Sequence, residues 1–292
     1  MIKRMIKTVW LTENKNTAKG VAMLLGGFDG LHVGHRRLLS RAKQSGFPVG
    51  VMTIIGGKEG NIFTFTERER IFKACGADFV FELPFDEIKN MSPTEFLNFL
   101  IEEFHPALFV CGEDFHFGAG ALGTPEMIKT STQVRVEILS LVEMGGEKIS
   151  SRRIKELLCK GEVEKANALL GEEFFLCGRV EKDRQVGRTI GFPTANIPYP
   201  KDKFPLKEGV YETKTRIDGK EYKGITNYGA RPTFDNDKVV TETYLDGFSG
   251  DLYGKELTVR FVRYLRGVEK FDGAEALKNQ LEKDIQRVRK GE

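Results

Sequence analysis

Two histidines three residues apart, His32 and His35, sit in a glycine-rich run that reads Gly26-Gly27-Phe28-Asp29-Gly30-Leu31-His32-Val33-Gly34-His35. Glycines let a backbone approach a ligand closely, and the free N–H groups of a helix start face an anion. Spacing by three puts both imidazoles on one side of a helix that begins here. From there they can donate hydrogen bonds to polyphosphate oxygens and stabilise charge that develops on them. Two bland alternatives use the same residues: surface histidines at a helix start, or half of a metal site. The glycines and the aspartate at these offsets favour phosphate.

A second string is Lys148-Ile149-Ser150-Ser151-Arg152-Arg153-Ile154-Lys155. Ser150 or Ser151 can cap the helix that continues through Leu158. Hydroxyls, free N–H groups and cations together form a phosphate clamp, although an ordinary capped amphipathic helix uses the same residues. A third string, Gly187-Arg188-Thr189-Ile190-Gly191-Phe192-Pro193-Thr194-Ala195-Asn196, contains a proline that removes a ladder donor, so the chain leaves regular pairing there. Thr194 and Asn196 then offer two neutral oxygens of the kind magnesium accepts beside nucleotide phosphates. The alternative is a plain turn. Downstream, Asn227, Arg231, Thr233 and Glu242 add polar groups. Glu242 lies in an alternating strand, where an isolated acid usually faces solvent.

The elements that must position these residues fall into two halves. In the first, apolar runs at 21–25, 48–55, 78–83, 107–111 and 134–142 alternate with helical patterns. Thr66-x-x-Glu69 and Ser92-Pro93-x-Glu95 have the form of capping boxes. Such alternation means βαβ units and a parallel sheet covered by helices, with ligands bound beyond the carboxyl ends of the strands. Gly118-Ala119-Gly120-Ala121-Leu122-Gly123 matches a dinucleotide fingerprint, but Glu113-Asp114-Phe115-His116-Phe117 intervenes after the strand and Pro125 follows shortly behind, so it is rejected. Nor is there a Walker-type loop. Beyond a boundary at 170–175 the period changes to two, giving six strands at about 174–182, 189–197, 209–217, 220–228, 239–246 and 256–266. Asp218-Gly219 marks a hairpin. Leu257, Val259, Phe261 and Leu265 share one face, and six close strands form a small antiparallel barrel. A final helix opens at Asp272-Gly273-Ala274-Glu275, buries Ala276, Leu277 and Leu281, and leaves the charged 282–292 end as a solvated face.

The string around His32 and His35 resembles the His-x-Gly-His signature of nucleotidyltransferases, in its longer form most like the flavin-adenylylating branch. Gly112-Glu113-Asp114-Phe115 with Phe117-Gly118 is similar to that branch's Gly-x-Asp-Phe-x-Phe-Gly. Ile149 to Lys155 resembles Ile-Ser-Ser-Thr-x-Ile-Arg, with Arg152 in place of threonine and Lys155 in place of arginine. The branch's Phe-x-Pro-His after the second strand is missing; Thr53-Ile54-Ile55-Gly56-Gly57 stands there. The 187–196 string, with Asn227-Tyr228-Gly229-Ala230-Arg231-Pro232-Thr233, the Glu242 strand and Asp251-Leu252-Tyr253-Gly254, resembles riboflavin kinase along its whole length. Together the chain resembles the bacterial bifunctional riboflavin kinase and FMN adenylyltransferase family.

That resemblance implies a nucleotidyltransferase-type, Rossmann-like α/β domain over 1–171 and a riboflavin kinase β-barrel with a C-terminal helix over 172–292. It implies Glu242 as the base of the kinase and His32 and His35 as catalytic in adenylylation. Nucleotide contacts would come from Gly26, Phe28, Asp29, Gly34, Gly112, Asp114, Ser150, Ser151, Arg153, Lys155, Gly187, Thr194 and Asn196. Flavin contacts would come from Asn227, Arg231 and Thr233, and Mg²⁺ ligands from Thr194 and Asn196. The substrates would be riboflavin, FMN and ATP. A riboflavin kinase with weak or lost adenylylation is the alternative, given the missing histidine and the changed clamp.

Bulk composition fits a soluble two-domain chain: 292 residues, 40% apolar and 30% charged. Forty-five basic against forty-two acidic residues leave +3, too balanced for a general nucleic-acid binder. That balance also weighs against an RNA-linked enzyme of the synthetase type. No apolar run approaches the ~18 residues of a membrane span, and no signal-type core follows Met1, so a cytoplasmic location is expected. Cys75, Cys111, Cys159 and Cys177 form no Cys-x-x-Cys pair, and thiols and imidazoles never cluster at zinc spacing. No zinc is expected, and the thiols should be reduced and mostly buried. Nothing in the sequence specifies an oligomeric state.

Overall fold

The structure is a computed structural model that describes residues 7–11, 20–57, 60–182, 191–230 and 239–291. The chain divides into two compact units, Met1–Ser151 and Arg152–Glu292.

The first unit contains β1 (Lys7–Trp10), β2 (Ala22–Leu24), α1 (Val33–Lys43), β3 (Val49–Ile55), α2 (Phe65–Ala74), β4 (Phe79–Pro84), α3 (Phe85–Ile88), α4 (Pro93–Phe104), β5 (Leu108–Gly112), α5 (Pro125–Ser131), β6 (Arg135–Leu139), β7 (Glu143–Met144) and β8 (Glu147–Lys148). The sheet order is β1-β4-β3-β2-β5-β6. All neighbours are parallel except β1, which pairs antiparallel to β4 at the edge. Strand β2 is central, so its carboxyl end lies where the order runs outward in both directions. That is the switch-point geometry in which a ligand crevice opens. Helix α4 packs Phe96, Leu97, Leu100 and Phe104 against Phe79, Phe81 and Phe109 of the sheet.

Each of the expected parallel strands is present, whereas β1 and the β7–β8 hairpin have no counterpart in the sequence reading. The expected strand at 134–142 ends at Leu139, and its remainder leads into that hairpin. The first capping box lies two residues earlier than expected. Thr64 caps α2, exchanging bonds with Glu67, whose side chain is buried, while Thr66 is exposed within the first turn. Ser92 and Glu95 cap α4 with Pro93 in the first turn, as expected. The Gly118–Gly123 run is a tight loop closed by mutual bonds between Phe117 and Gly123. A Cβ on Gly118 would lie 2.8 Å from the Pro93 nitrogen, so packing, not a dinucleotide, accounts for that glycine.

The second unit contains α6 (Ser151–Lys160, of which Ser151 is the last residue of the first unit), α7 (Val163–Leu170), β9 (Phe175–Arg179), β10 (Thr194–Pro198), β11 (Gly209–Ile217), β12 (Lys220–Ala230), β13 (Val239–Leu245), β14 (Glu256–Arg266) and α8 (Ala274–Lys290). The six strands run antiparallel in the order β10-β13-β12-β11-β14-β9. A bridge between Glu181 and Asn196 brings the two edges together, making a near-barrel. Asp218 (φ 49°) and Gly219 (φ 81°) form the tight turn between β11 and β12, the left-handed pair that a two-residue hairpin needs. Helix α7 belongs to this unit: Asn167 donates to the Phe261 carbonyl at 2.9 Å and accepts from the Phe174 amide at 2.7 Å.

Inside the barrel, Thr213, Thr226 and Thr243 are buried and joined by hydroxyl bonds of 2.8 and 2.9 Å. Leu257, Val259 and Phe261 are buried too, but Leu265 leaves their face. The β11–β14 register slips twice, at Glu212/Thr213 and Val210/Tyr211, and each slip turns the following residues over. Leu265 therefore packs with Val210, Ile225, Ile285 and Val288 under α8. The end of α8 is solvated on one side only: Glu282, Lys283, Arg287, Arg289 and Lys290 are exposed, but Asp284, Ile285 and Val288 are buried, while Ala276 is exposed. There is no capping box at its start, since Gly273 is the cap residue and makes no side-chain bond. The burial of Asp284 follows from Arg266, whose guanidinium bonds both its oxygens at 2.8–3.2 Å. All four cysteines are free, as expected, but only Cys111 is buried and Cys159 is exposed.

Asp284→Ala should destabilise the second unit by about 3–5 kcal/mol, because it strands a nearly buried guanidinium. Glu221→Ala, which breaks the more exposed pair with Arg260, should cost only about 0–1 kcal/mol. Hydrogen exchange of the β14 amides reads the difference locally; equal losses would contradict it.

Candidate functional site

The turn after β2 is fixed from beneath. Phe28 takes φ 40° and buries its ring, and a Cβ on Gly26 would lie 2.9 Å from that ring. Asp29 Oδ1 accepts from the Ile62 amide at 2.8 Å, tying the turn to the segment before α2. His32 is the cap residue of α1, its Nδ1 accepting from the His35 amide at 3.3 Å. His35 Nδ1 lies 2.6 Å from the Gly30 carbonyl. A carbonyl only accepts, so this nitrogen carries the proton. The two rings stack with centroids 3.5 Å apart at 15°. A Cβ on Gly34 would come within 3.2 Å of the His32 ring, so glycine there leaves the ring its place.

Electrostatics hold both rings neutral. Burial, then the neighbouring His35 and Lys148 charges, pushes the His32 imidazole down to about 2. Burial likewise pushes His35 down to about 4, against the opposing pull of the Gly30 carbonyl and of Asp114 and Asp29. In the neutral state His32, accepting at Nδ1, offers Nε2–H as a donor. Neutral His35, donating at Nδ1, leaves Nε2 as an acceptor.

Beside this turn, beyond the end of β5, Asp114 pairs with Lys148, and its Oδ1 lies 2.8 Å from where a Gly112 Cβ would stand. Gly57 (φ 75°) closes the stretch that stands in place of the missing Phe-x-Pro-His, and a side chain there would meet the Phe85 ring at 2.4 Å. An aromatic ring thus occupies the space into which a residue 57 side chain would project. Of the expected clamp, Ser150 precedes α6 and Ser151 opens it, while Arg153 is half-buried on α6 and belongs to the second unit. Lys155 Nζ sits 5.4 Å from the Phe204 ring centre, also in the second unit.

In the barrel, register places the polar residues in one row. Asn196 lies opposite Glu242, and Glu242 opposite Asn227. Directly opposed residues share a face, with Cβ atoms about 4.5–5.5 Å apart. Their alternate neighbours Ala195, Thr243 and Thr226 are buried inside, so this row lies on the outer face, where Glu242 is half-buried and Asn227 exposed. Thr194 stands in the next row, opposite Tyr244, on the same face as Asn196. Tyr244 packs with Leu281 against the cluster under α8, and Phe192 lies 4.8 Å from its ring. Gly187, Arg231 and Thr233 lie outside the described residues. Among those described, no three His, Cys, Asp or Glu side chains gather to hold a metal ion. Thr194 and Asn196 fit magnesium differently, as hard neutral oxygens that leave charge balance to nucleotide phosphates.

The pairing of Asp114 with Lys148 and the Phe85 ring beside Gly57 were missed in the sequence; each joins a residue just beyond one strand to a residue of a separate element, β8 or α3. The histidine pair also sets a pH signature. Both folded values lie below the ordinary 6.5, so between about pH 6.5 and 4 the unfolded chain binds more protons and stability rises with pH. Their contribution is complete above 6.5 and is lost as pH falls through this window. Denaturation midpoints at pH 7 and 4.5 should therefore separate more in wild type than in His35→Asn; parallel losses would contradict the assignment.

Comparison with known proteins gives two consecutive family matches: FAD synthetase over residues 14–153 and riboflavin kinase over residues 170–291. The bifunctional riboflavin kinase/FMN adenylyltransferase of Pseudomonas fluorescens is 32% identical, with 93% of each chain covered. That of Bacillus subtilis is 31% identical, with 96% of each covered. A crystal structure from Streptococcus pneumoniae, described as a macrolide-efflux protein, superposes with a TM-score of 0.85 at 29% identity, covering 95% of this chain and 96% of its own. No described helix here is long and apolar enough to cross a membrane. The motifs, the two folds and the full-length likeness agree: the chain belongs to the bifunctional riboflavin kinase/FMN adenylyltransferase family.

Proposed function

We propose that the two activities of the family are carried by separate constellations of this chain: riboflavin phosphorylation by residues 172–292, and FMN adenylylation by residues 1–171. The observation that carries the reading is that the Asn196–Glu242–Asn227 row and the stacked histidine turn lie in different compact units. In the barrel, Glu242 takes the proton of the ribityl hydroxyl as that oxygen attacks the γ-phosphate and ADP leaves. A base so placed is worth ~10²–10⁴ in rate. Thr194 and Asn196 would hold Mg²⁺, which neutralises phosphate charge when bound. Asn227, with Arg231 and Thr233, orients the flavin, and Gly187 approaches the nucleotide.

In the α/β unit, an FMN phosphate oxygen attacks the α-phosphate of a second ATP and pyrophosphate leaves. Gly26, Phe28, Asp29, Gly34 and Gly112 shape the cradle, and Ser150, Ser151, Arg153 and Lys155 add to the clamp. His32 donates from Nε2. Triphosphate beside His35 favours its charged form, so its Nε2 gains a proton and becomes a second donor. The cytoplasm, where ATP is plentiful, is the location proposed for both reactions, with small molecules and neither nucleic acid nor membrane as partners. A second reading, a kinase with weakened adenylylation, draws on Gly57 and on Lys155 lying over Phe204.

Each lesion should spare the other reaction. Glu242→Gln should depress FMN formation by ~10² or more while supplied FMN is still converted to FAD. His35→Ala should lower adenylylation by ~10²–10³ and let FMN accumulate from riboflavin. The fragment 152–292, which keeps the whole second unit, should make FMN and no FAD. The assay offers each protein riboflavin or FMN with Mg-ATP and resolves the products by chromatography. Loss of FMN formation in a folded His35→Ala protein would sink the two-site reading, and a wild type that makes FMN well and FAD barely at all would favour the second.

A further inference from the structure

Between α1 and the end of α2 lies a groove with no part in the reactions proposed above. It is a cleft of about 400 Å³ lined by Arg36, Leu39, Ser40, Lys43, Gln44 and Cys75. Arg36, Leu39, Ser40 and Lys43 have the i, i+3, i+4, i+7 spacing that puts residues on one helix face. Two cations from that face converge on one residue opposite. The Arg36 guanidinium donates to Cys75 Sγ at 3.1 Å, and the Lys43 ammonium donates to the Cys75 carbonyl at 3.3 Å. Gly76 (φ 84°) leaves that ammonium its place, since a Cβ there would lie 2.8 Å from it. Cys75 is the cap residue at the carboxyl end of α2, and such an end attracts a cation by itself. That accounts for Lys43. It does not bring Arg36 to the same spot from seven positions earlier on α1.

The rest of the lining also suits an anion. Helix α1 contains no acidic residue, and the carboxylate that Arg41 binds, Glu137, belongs to β6. Lys73 adds positive charge in the last turn of α2. Gln44 accepts from Arg41 through Oε1 at 3.1 Å, which leaves its amide nitrogen as a donor, and Ser40 adds a hydroxyl. Eight residues at ~1.5 Å each put Lys43 about 12 Å along α1 from His35. We propose that this cleft is a binding site for a small phosphate-bearing anion, separate from the histidine turn. Arg36 and Lys43 bond its oxygens, and Ser40 and Gln44 donate beside them. Charge-assisted bonds of this kind are the strong ones. A bound anion competes with the Cys75 sulfur for the guanidinium and covers the thiol. Free phosphate and pyrophosphate share the required chemistry. The site rests on neither catalytic reading.

The test uses the full chain, with inorganic phosphate and pyrophosphate as probes in two readouts. Calorimetry gives their affinities. Labelling with neutral iodoacetamide, resolved by peptide mass spectrometry, reports access to Cys75, with the exposed Cys159 as internal reference. Phosphate or pyrophosphate should bind with a dissociation constant of ~1 mM or below and slow Cys75 labelling by ~5-fold or more, leaving Cys159 unchanged. Whichever acts at the lower concentration identifies the source. Sodium chloride at equal ionic strength should not protect, because it screens charge without bridging the two cations. Lys43→Gln, an exposed change, and Arg36→Ala should each weaken the protection by ~10-fold. Protection should persist in His35→Ala. Neither binding nor protection by ~10 mM of either anion would overturn the proposal. Protection that chloride matches, or that survives both cation changes, would do the same. Protection lost in His35→Ala would place the anion at the turn and remove the separate site.

Discussion

The bond from His35 Nδ1 to the Gly30 carbonyl is the constraint on which the chemistry proposed for the first unit depends. It fixes which nitrogen of His35 carries a proton, and stacking at 3.5 Å then fixes where His32 lies. Two imidazoles this close cannot both be charged without mutual repulsion, and burial disfavours even one charge. The turn therefore rests in a neutral state that a polyanion can reverse. Everything around it serves that arrangement: Phe28 seals the floor, Asp29 pins the loop through the Ile62 amide, and Gly34 leaves room for a ring. The parallel sheet contributes its switch point, which brings the ends of β2, β3 and β5 to one edge.

The second unit reaches its site by another route. A barrel strand exposes alternate residues to opposite faces, so a polar row needs only register to assemble. Asn196, Glu242 and Asn227 come from three strands and meet without any loop to position them. Pleating sends the intervening residues inward, where threonine hydroxyls satisfy one another. Helix α8 covers the adjoining outer surface. It is held by Asp284 on Arg266 and by Arg289 on Asp246, the residue just beyond the strand that carries Glu242. The brace and the proposed base thus share β13.

How much of this was legible in the sequence depended on the range of the interaction that decides it. Apolar runs, the Asp218-Gly219 turn and the Ser92 capping box are settled within a few residues, and each appears where the pattern put it. Thr64 and Thr66 each have a glutamate three residues on, so pattern alone could not choose between them. Asp284 reads as solvent-facing until Arg266, eighteen residues earlier, is known to lie beneath it. Leu265 kept the period of its strand on paper, and only the pairing with β11 reveals the slips that turn it over. Hairpin β7–β8 has two residues per strand, too short for any period to show. At the site, motif residues stood out because glycine, histidine and proline are conspicuous in a chain. The pairing of Lys148 with Asp114 and the Phe85 ring beside Gly57 did not, because such contacts exist only through what the fold sets side by side.

The histidine turn offers the most direct measurement. The chain has only four histidines, so ¹⁵N-histidine NMR can follow each ring through pH with and without a non-hydrolysable ATP analogue. The account predicts that free His35 carries its proton on Nδ1 and titrates near 4. With the analogue bound, its titration should move upward and both nitrogens should be protonated near neutral pH. A free His35 protonated on Nε2, titrating close to 6.5 and indifferent to the analogue, would contradict it.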